Sequence, residues 1–305
     1  MSKNIVLRTP GAGERALVLG GGGSAGHAWL IGVIAGLFEA GLDVTKADLI
    51  IGTSAGSTAA AQITSSTMTE LFSATLAPVP QAQIRSVQTG GGRVPIPSLA
   101  DPMERTNRII ADSSDAADMR RRMGVSSIEM EMASDGSASS RWRATVAARL
   151  PSQGWPERTA LRITAVDAHT GEPVVFDRDS GVDLVDAVAA SCSSGFAYGI
   201  GDGRYIDGGY RRNENADLAA GYARVLVLSP FGGRTRHPLH WGMQLSTQIE
   251  ELRANGSRVE TIFPDEKARE AFGVNMMDPS TRPPSARAGY NHGRGLAEQL
   301  SEFWG

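Results

Sequence analysis

Apolar residues fall along this chain in two rhythms. Short unbroken runs, Ala16–Leu19, Leu49–Ile51 and Val225–Leu228, read as strands buried on both faces. Between the first two, Trp29, Val33, Leu37 and Ala40 recur at helical spacing, and Gly41 stands where such a helix would end. Ala55–Ile63 reads as a second helix after the second strand. Strand, tight turn, helix, repeated, is the pattern of a parallel sheet with crossovers, so the fold class expected is α/β with a mostly parallel central sheet. Further on, Leu161–Asp167 and Pro173–Phe176 flank the turn His169-Thr170-Gly171-Glu172 and predict an antiparallel hairpin. Asp183–Ser191 reads as a helix, and a short strand ends at Asp207.

Elsewhere the pattern is looser. Residues 78–97 are rich in Pro, Gly and Gln and read as a linker or exposed loop. A charged helical stretch over Asp101–Arg122 follows, with Asp112–Arg122 as a solvated face, and then Val125–Ala133 and Arg141–Leu150. This block holds too few apolar residues for its own core and reads as a helical insertion. The C-terminal third reads mostly as helix, over Leu239–Ala254 and Leu296–Trp304, with Pro283-Pro284 as a break. The organisation expected is a single domain over residues 1–305. It has a core at about 14–230, an insertion at about 78–150 and a C-terminal helical segment at about 235–305.

Composition narrows the function classes. The chain has 305 residues, 41% of them hydrophobic, and a formal net charge of −3. A sizeable core is affordable, and no basic surplus exists to neutralise nucleic-acid phosphates. One cysteine, Cys192, permits neither an internal disulfide nor a cysteine-rich zinc site. The first ten residues lack the apolar core of a signal peptide, and Ala28–Phe38 is far short of the ~20 residues a membrane span needs. A soluble cytoplasmic protein with no metal is the expectation.

The sharpest local signal is Gly52-Thr53-Ser54-Ala55-Gly56. It places G-x-S-x-G between a predicted strand and a predicted helix, the setting a nucleophile elbow requires. One crossover earlier, Gly20-Gly21-Gly22-Gly23-Ser24-Ala25-Gly26 also follows a strand and opens a helix. In form it fits a dinucleotide fingerprint, but the next strand runs into Gly52-Thr53-Ser54 where an acid should hold the ribose. No Gly-Lys-Ser/Thr follows for a phosphate loop either. An oxyanion hole of glycine amides is the better reading, and no nucleotide cofactor is expected. The hydroxyl also needs a base. None of the histidines, His27, His169, His237, His240 and His292, stands in a local motif. Asp207-Gly208-Gly209 ends a short strand, which suits either a base or an ordinary Asp-Gly turn.

In this order, glycine loop, G-x-S-x-G and D-G-G resemble the patatin-like phospholipase family. The likeness runs through Ala16–Ile63 and Val185–Ala219, with Ala187-Val188-Ala189-Ala190-Ser191-Cys192 and Asn215-Ala216-Asp217-Leu218-Ala219 as further matches. It implies a three-layer α/β/α fold and a serine acyl hydrolase acting on lipid or other ester substrates without a cofactor. It also admits peripheral contact with a membrane. Ser54 would be the nucleophile and Asp207 the general base of a dyad without histidine. Gly21, Gly22 and Gly23, with Ala55, would supply oxyanion amides. Gly26, Gly52, Gly56, Gly208 and Gly209 complete the motifs. Many members carry Arg or Lys before the loop's last glycine, where this chain has Ala25. Three other readings stay open: a conventional α/β-hydrolase using His237, His240 or His292, a lipid-binding scaffold, and an acyltransferase on the same site.

Overall fold

A computed structural model describes residues 14–78 and 102–305. The linker expected at 78–97 falls outside the described residues beyond its first position. In chain order come β1 (Arg15–Leu19), α1 (Gly23–Glu39), β2 (Leu49–Gly52), α2 (Ala55–Ile63) and α3 (Met68–Leu76). Then follow α4 (Pro102–Ala111), α5 (Ala116–Met132), α6 (Ala138–Ala147), β3 (Ala160–Asp167), β4 (Pro173–Phe176) and α7 (Leu184–Ser191). The chain ends with β5 (Tyr198–Ile200), β6 (Gly203–Asp207), β7 (Arg224–Leu228), α8 (Leu245–Ala254), β8 (Arg258–Ile262), α9 (Glu266–Phe272) and α10 (Arg282–Trp304).

The strands form one sheet in the order β5-β6-β3-β2-β1-β7-β8, with β4 paired to β3. From β3 to β8 the path is parallel, while β4, β5 and β6 make antiparallel pairs. Alternation along β1 sends Leu17 and Leu19 to one face, against α1, α2 and α10, and Ala16 and Val18 to the other, against α8. Helices thus cover both faces of the sheet, giving the expected three layers.

The register of β3 sets up the site. Its first half pairs with β2, down to Ile163 opposite Gly52, and its end pairs with β6, with Ala165 opposite Asp207. Because β4 holds the other edge of β3 from Ile163 to Val166, β2 and β6 must share the remaining edge. Strand β6 therefore runs head-on toward the end of β2, and the turns that follow the two strands meet.

Several expectations are corrected. The helix expected over Asp101–Arg122 is two helices, because Asp115 turns its carboxylate onto the Asp118 amide (2.8 Å) and caps a new start. Its solvated face, Asp112–Arg122, is only partial, since Met119 is buried with Ile110, Val166 and Ile206. The helix expected from Leu239 begins at Leu245, after Gly242 takes a left-handed turn (φ 66°). Pro283 and Pro284 start α10 instead of breaking it, since the first helical turn needs no amide donor. The C-terminal region also adds a strand, β8, to the sheet beyond the core expected to end near 230.

The longest helix, α10, is locked to α1 through glycines on both. A Cβ at Gly32 would lie 2.2 Å from the Ala286 carbonyl oxygen, and one at Gly36 would lie 2.1 Å from that of Tyr290. In return, a Cβ at Gly293 would lie 2.2 Å from the Val33 carbonyl oxygen. The backbones touch, so side chains here have no room to relax. Gly36→Val is expected to cost about 3 kcal/mol or more. Gly295→Ala, on α10 with nothing within 4 Å of the added carbon, is expected to stabilise by up to about 1 kcal/mol. Thermal melts of the two variants check the contrast.

Candidate active site

Ser54 begins the turn from β2 into α2 with φ 53° and ψ −119°. It is one of two non-glycine residues at positive φ among the described residues. Such a conformation costs on the order of 1–3 kcal/mol and persists only where the surroundings impose it. Here they do. The Thr53 amide bonds the Leu19 carbonyl (3.1 Å), the Gly56 amide bonds the Thr53 carbonyl (2.8 Å), and the Ser54 amide bonds Ser191 Oγ (2.9 Å). Gly56 is required by close approach, since a Cβ there would sit 2.0 Å from the Leu19 carbonyl oxygen. Gly52 has the same reason on the other side of the turn, against Ser57 Cα at 2.5 Å.

The Ser54 hydroxyl donates to Asp207 Oδ2 at 2.7 Å. The other carboxylate oxygen, Oδ1, accepts the Gly209 amide at 2.8 Å. Asp207 is 7% exposed. Burial pushes its pKa up to about 6, against the pull of the Gly209 amide and the Ser54 hydroxyl. Gly208 lets the D-G-G turn press onto β3, where an added Cβ would meet Thr164 Oγ1 at 2.3 Å.

A buried polar knot ties the two turns together. Asn215 Nδ2 reaches Thr53 Oγ1 (3.0 Å), Thr164 Oγ1 (3.2 Å), the Gly208 carbonyl (3.2 Å) and the Arg212 carbonyl (2.7 Å). Thr53 Oγ1 and Thr164 Oγ1 are themselves 2.9 Å apart. Sequence reasoning placed Asn215 and Ser191 in matching stretches but gave neither a task, and it passed over Thr164. Asn215 at positive φ (55°) is the one trace a sequence leaves, since asparagine tolerates that region better than most residues.

The glycine loop lies beside the serine, with the position of a Cβ on Gly21 3.5 Å from Ser54 Cβ. Gly21 departs from its expected role, because its single amide proton is already given to the Asn213 carbonyl (3.1 Å). Asn213 is held in turn by Glu214, a buried acid that accepts from Asn213 Nδ2 (2.9 Å) and Ser229 Oγ (2.6 Å). Among the described residues the amides of Gly22, Gly23 and Ala55 meet no acceptor. Gly23 has φ 61° and Gly26 packs on the Pro230 ring. The Ala55 amide opens α2, so the helix dipole also favours negative charge there.

The remaining candidates are elsewhere. His237 packs on Trp241, and burial with the nearby charges of Arg120 and Arg236 lowers its pKa to about 4. His240 also lies against Trp241, His292 is on α10, and His27 bonds Gln62 at 2.7 Å. His169 sits in the hairpin turn. Among the described residues no histidine bonds Ser54 or Asp207. Cys192 donates its thiol to the Ser54 carbonyl (3.1 Å), and burial together with the Asp207 charge pushes its pKa up to about 11, which keeps it from acting as a thiolate. No group of residues suited to hold a metal occurs among the described residues.

The chain matches the family model described as "Patatin-like phospholipase" over residues 17–220. No curated protein matches it by sequence. Among solved structures it is similar to VipD from Legionella pneumophila, at 13% identity and a TM-score of 0.44, covering 95% of this chain and 67% of that one. It is also similar to ExoU in its complex with SpcU from the type III secretion system of Pseudomonas aeruginosa, at 16% identity and a TM-score of 0.37. That alignment covers 96% of this chain and 53% of ExoU, so the chain spans about half of ExoU's length.

Proposed function

Because this chain belongs to the patatin-like phospholipase family, we propose that Ser54 and Asp207 form the dyad of a serine acyl hydrolase that cleaves lipid esters through an acyl-enzyme. The family is one of lipid acyl hydrolases; the residue roles and the intermediate are our reading. One observation carries it: a strained serine whose hydroxyl donates at 2.7 Å to a buried aspartate.

In the first step Asp207 Oδ2 takes the Ser54 proton as Oγ attacks the ester carbonyl carbon. The carbonyl electrons move onto oxygen, where the amides of Gly22, Gly23 and Ala55 receive the charge. Losing one such donor typically costs ~2.7–4 kcal/mol of transition-state stabilisation. Collapse expels the alcohol, which takes the proton from Asp207 and leaves an acyl-Ser54 ester. Water then attacks that ester with Asp207 again as base, and the fatty acid departs. The weakness of a free aspartate as a base is eased by burial, which brings its pKa to about 6. Direct bonding of Asp207 to the serine, with no histidine between them, favours a dyad over a triad. We also propose that the chain is one catalytic domain with a helical insertion, docking peripherally to its lipid.

The active form needs Asp207 ionised, so kcat/KM is expected to rise with pH through about 6. Below that midpoint it should fall about tenfold per pH unit. A pH–rate profile on a dissolved ester, with Ser54→Ala as the blank, checks this; a flat profile between pH 5 and 7 would count against Asp207 as base. Substrate class is tested with a panel of esters and phospholipids in which released fatty acid is measured. No release from any of them would contradict the hydrolase reading.

A further inference from the structure

Strands β1, β2, β7 and β8 are parallel, so the segments leaving their C-terminal ends rise from one edge of the sheet. The glycine loop and Ser54 leave β1 and β2 at that edge. The segments after β7 and β8 lie against the glycine loop, Pro230 on Gly22 and Met276 on Gly23. Four of the eight exposed large apolar side chains among the described residues stand on these segments: Leu239 (70%), Phe263 (40%), Val274 (108%) and Met277 (60%). The segments are also physically joined to the site. Pro230 packs on Gly22 and Gly26, the Phe263 ring comes within 3.5 Å of where a Gly233 Cβ would be, and the Met276 carbonyl accepts the Ala25 amide at 2.9 Å.

The loop after β7 is cationic, whereas the segment after β8 sets Asp265, Glu266, Glu270 and Asp278 against Lys267 and Arg269. Residues 229–248 contain no Asp or Glu but do contain Arg234 and Arg236, both exposed and flanking the exposed Leu239 and His240. Arg234 bonds the Phe231 main-chain carbonyl (3.0 Å), and neither arginine pairs with a carboxylate among the described residues. The second tip, residues 271–277, carries no charge at all. Exposed aliphatic tips beside unpaired arginines are what an anionic lipid surface receives, the tips entering the interface and the cations meeting the head groups.

We propose that the loops after β7 and β8 form a docking face for an anionic lipid surface, with Leu239 and Val274 inserting and Arg234 and Arg236 meeting head groups. The face adjoins the glycine loop beside Ser54, so docking would bring ester close to the serine. The choice of a lipid partner rests on the acyl-hydrolase reading, but the binding itself does not need turnover.

The test is sedimentation of the full chain with vesicles of phosphatidylcholine alone or mixed with phosphatidylserine. The Ser54→Ala protein is used so that hydrolysis plays no part, and a failed dyad assignment therefore leaves this result intact. It should bind the phosphatidylserine vesicles more tightly, and added salt should weaken that binding. Leu239→Asp with Val274→Asp should lower binding by about tenfold or more. In the otherwise wild-type chain the same pair should leave turnover of a dissolved short-chain ester unchanged, which also reports that it folds. Arg234→Gln with Arg236→Gln should remove the preference for phosphatidylserine even if the aspartate pair does not fold. Phe38→Asp, an exposed apolar position at the far end of α1 and so at the opposite edge, should change nothing. The proposal is overturned if the Ser54→Ala protein fails to sediment with either vesicle or binds both equally. It is also overturned if the folded aspartate pair binds like its parent, or if Phe38→Asp loses as much as that pair.

Discussion

Ser54→Ala is expected to lower turnover of a chromogenic short-chain ester by about 10⁴-fold or more, and Asp207→Ala to lower it to a similar floor. The double variant should be no worse than either single one. This follows from the 2.7 Å bond between the two side chains, since the serine is activated only through the aspartate and the aspartate has no other reacting partner. Groups that act as one unit lose their whole effect when either is removed. Steady-state kinetics on the three folded variants check the prediction. A single variant near wild-type turnover, or a double variant far below both singles, would separate the residues into independent roles.

Asp207→Asn is expected to abolish turnover and yet raise the melting temperature at pH 7. The folded-state pKa of Asp207 is about 6, above its ordinary value of 3.8. The folded chain therefore binds this proton more tightly than the unfolded chain. The group contributes stability that is present below its unfolded pKa and is lost as pH rises through about 6. At pH 7 the ionised, buried carboxylate is a burden on the fold on the order of 1–3 kcal/mol. Asparagine lifts it, so the gain should be seen at pH 7 and shrink toward zero by pH 4. Thermal melts of the two proteins at both pH values measure this. A variant that is less stable than its parent by the same amount at both would contradict the account of Asp207 as a strained base.

Much of the core was legible because its segments obey one strong rule each. Ala16–Leu19 and Leu49–Ile51 are short apolar runs beside glycine turns, and β1 and β2 are found there. Ala55–Ile63 is a helix with the bounds its pattern predicts. Strand β8 was not legible, because Arg258-Val259-Glu260-Thr261-Ile262 is an edge strand, where charged residues guard the exposed ladder and dilute the apolar signal. Strand β5, only three residues long, leaves too little pattern to read. The proline pair at 283–284 was misread because proline both ends helices and begins them, and only the neighbouring contacts decide which.

The site divides in the same way. The turns that hold Ser54 and Asp207 were marked by their glycines, whose absent Cβ atoms make room for the Leu19 carbonyl and for Thr164. Which glycine amides remain open was not legible. The loss of Gly21 depends on the Asn213 carbonyl, almost two hundred positions away, and no local pattern encodes such a meeting. The knot of Asn215, Thr53 and Thr164 is hidden for the same reason, since hydroxyl and amide residues are common and only their burial together makes them specific.

The most direct measurement is the rate at which a fluorophosphonate labels the protein as pH is varied, with the modified residue located by peptide mass spectrometry. The account predicts label on Ser54, appearing faster as pH rises through about 6 and lost when Asp207 is replaced by asparagine. Label on another residue, or Ser54 labelled equally fast with Asn at 207, would contradict it.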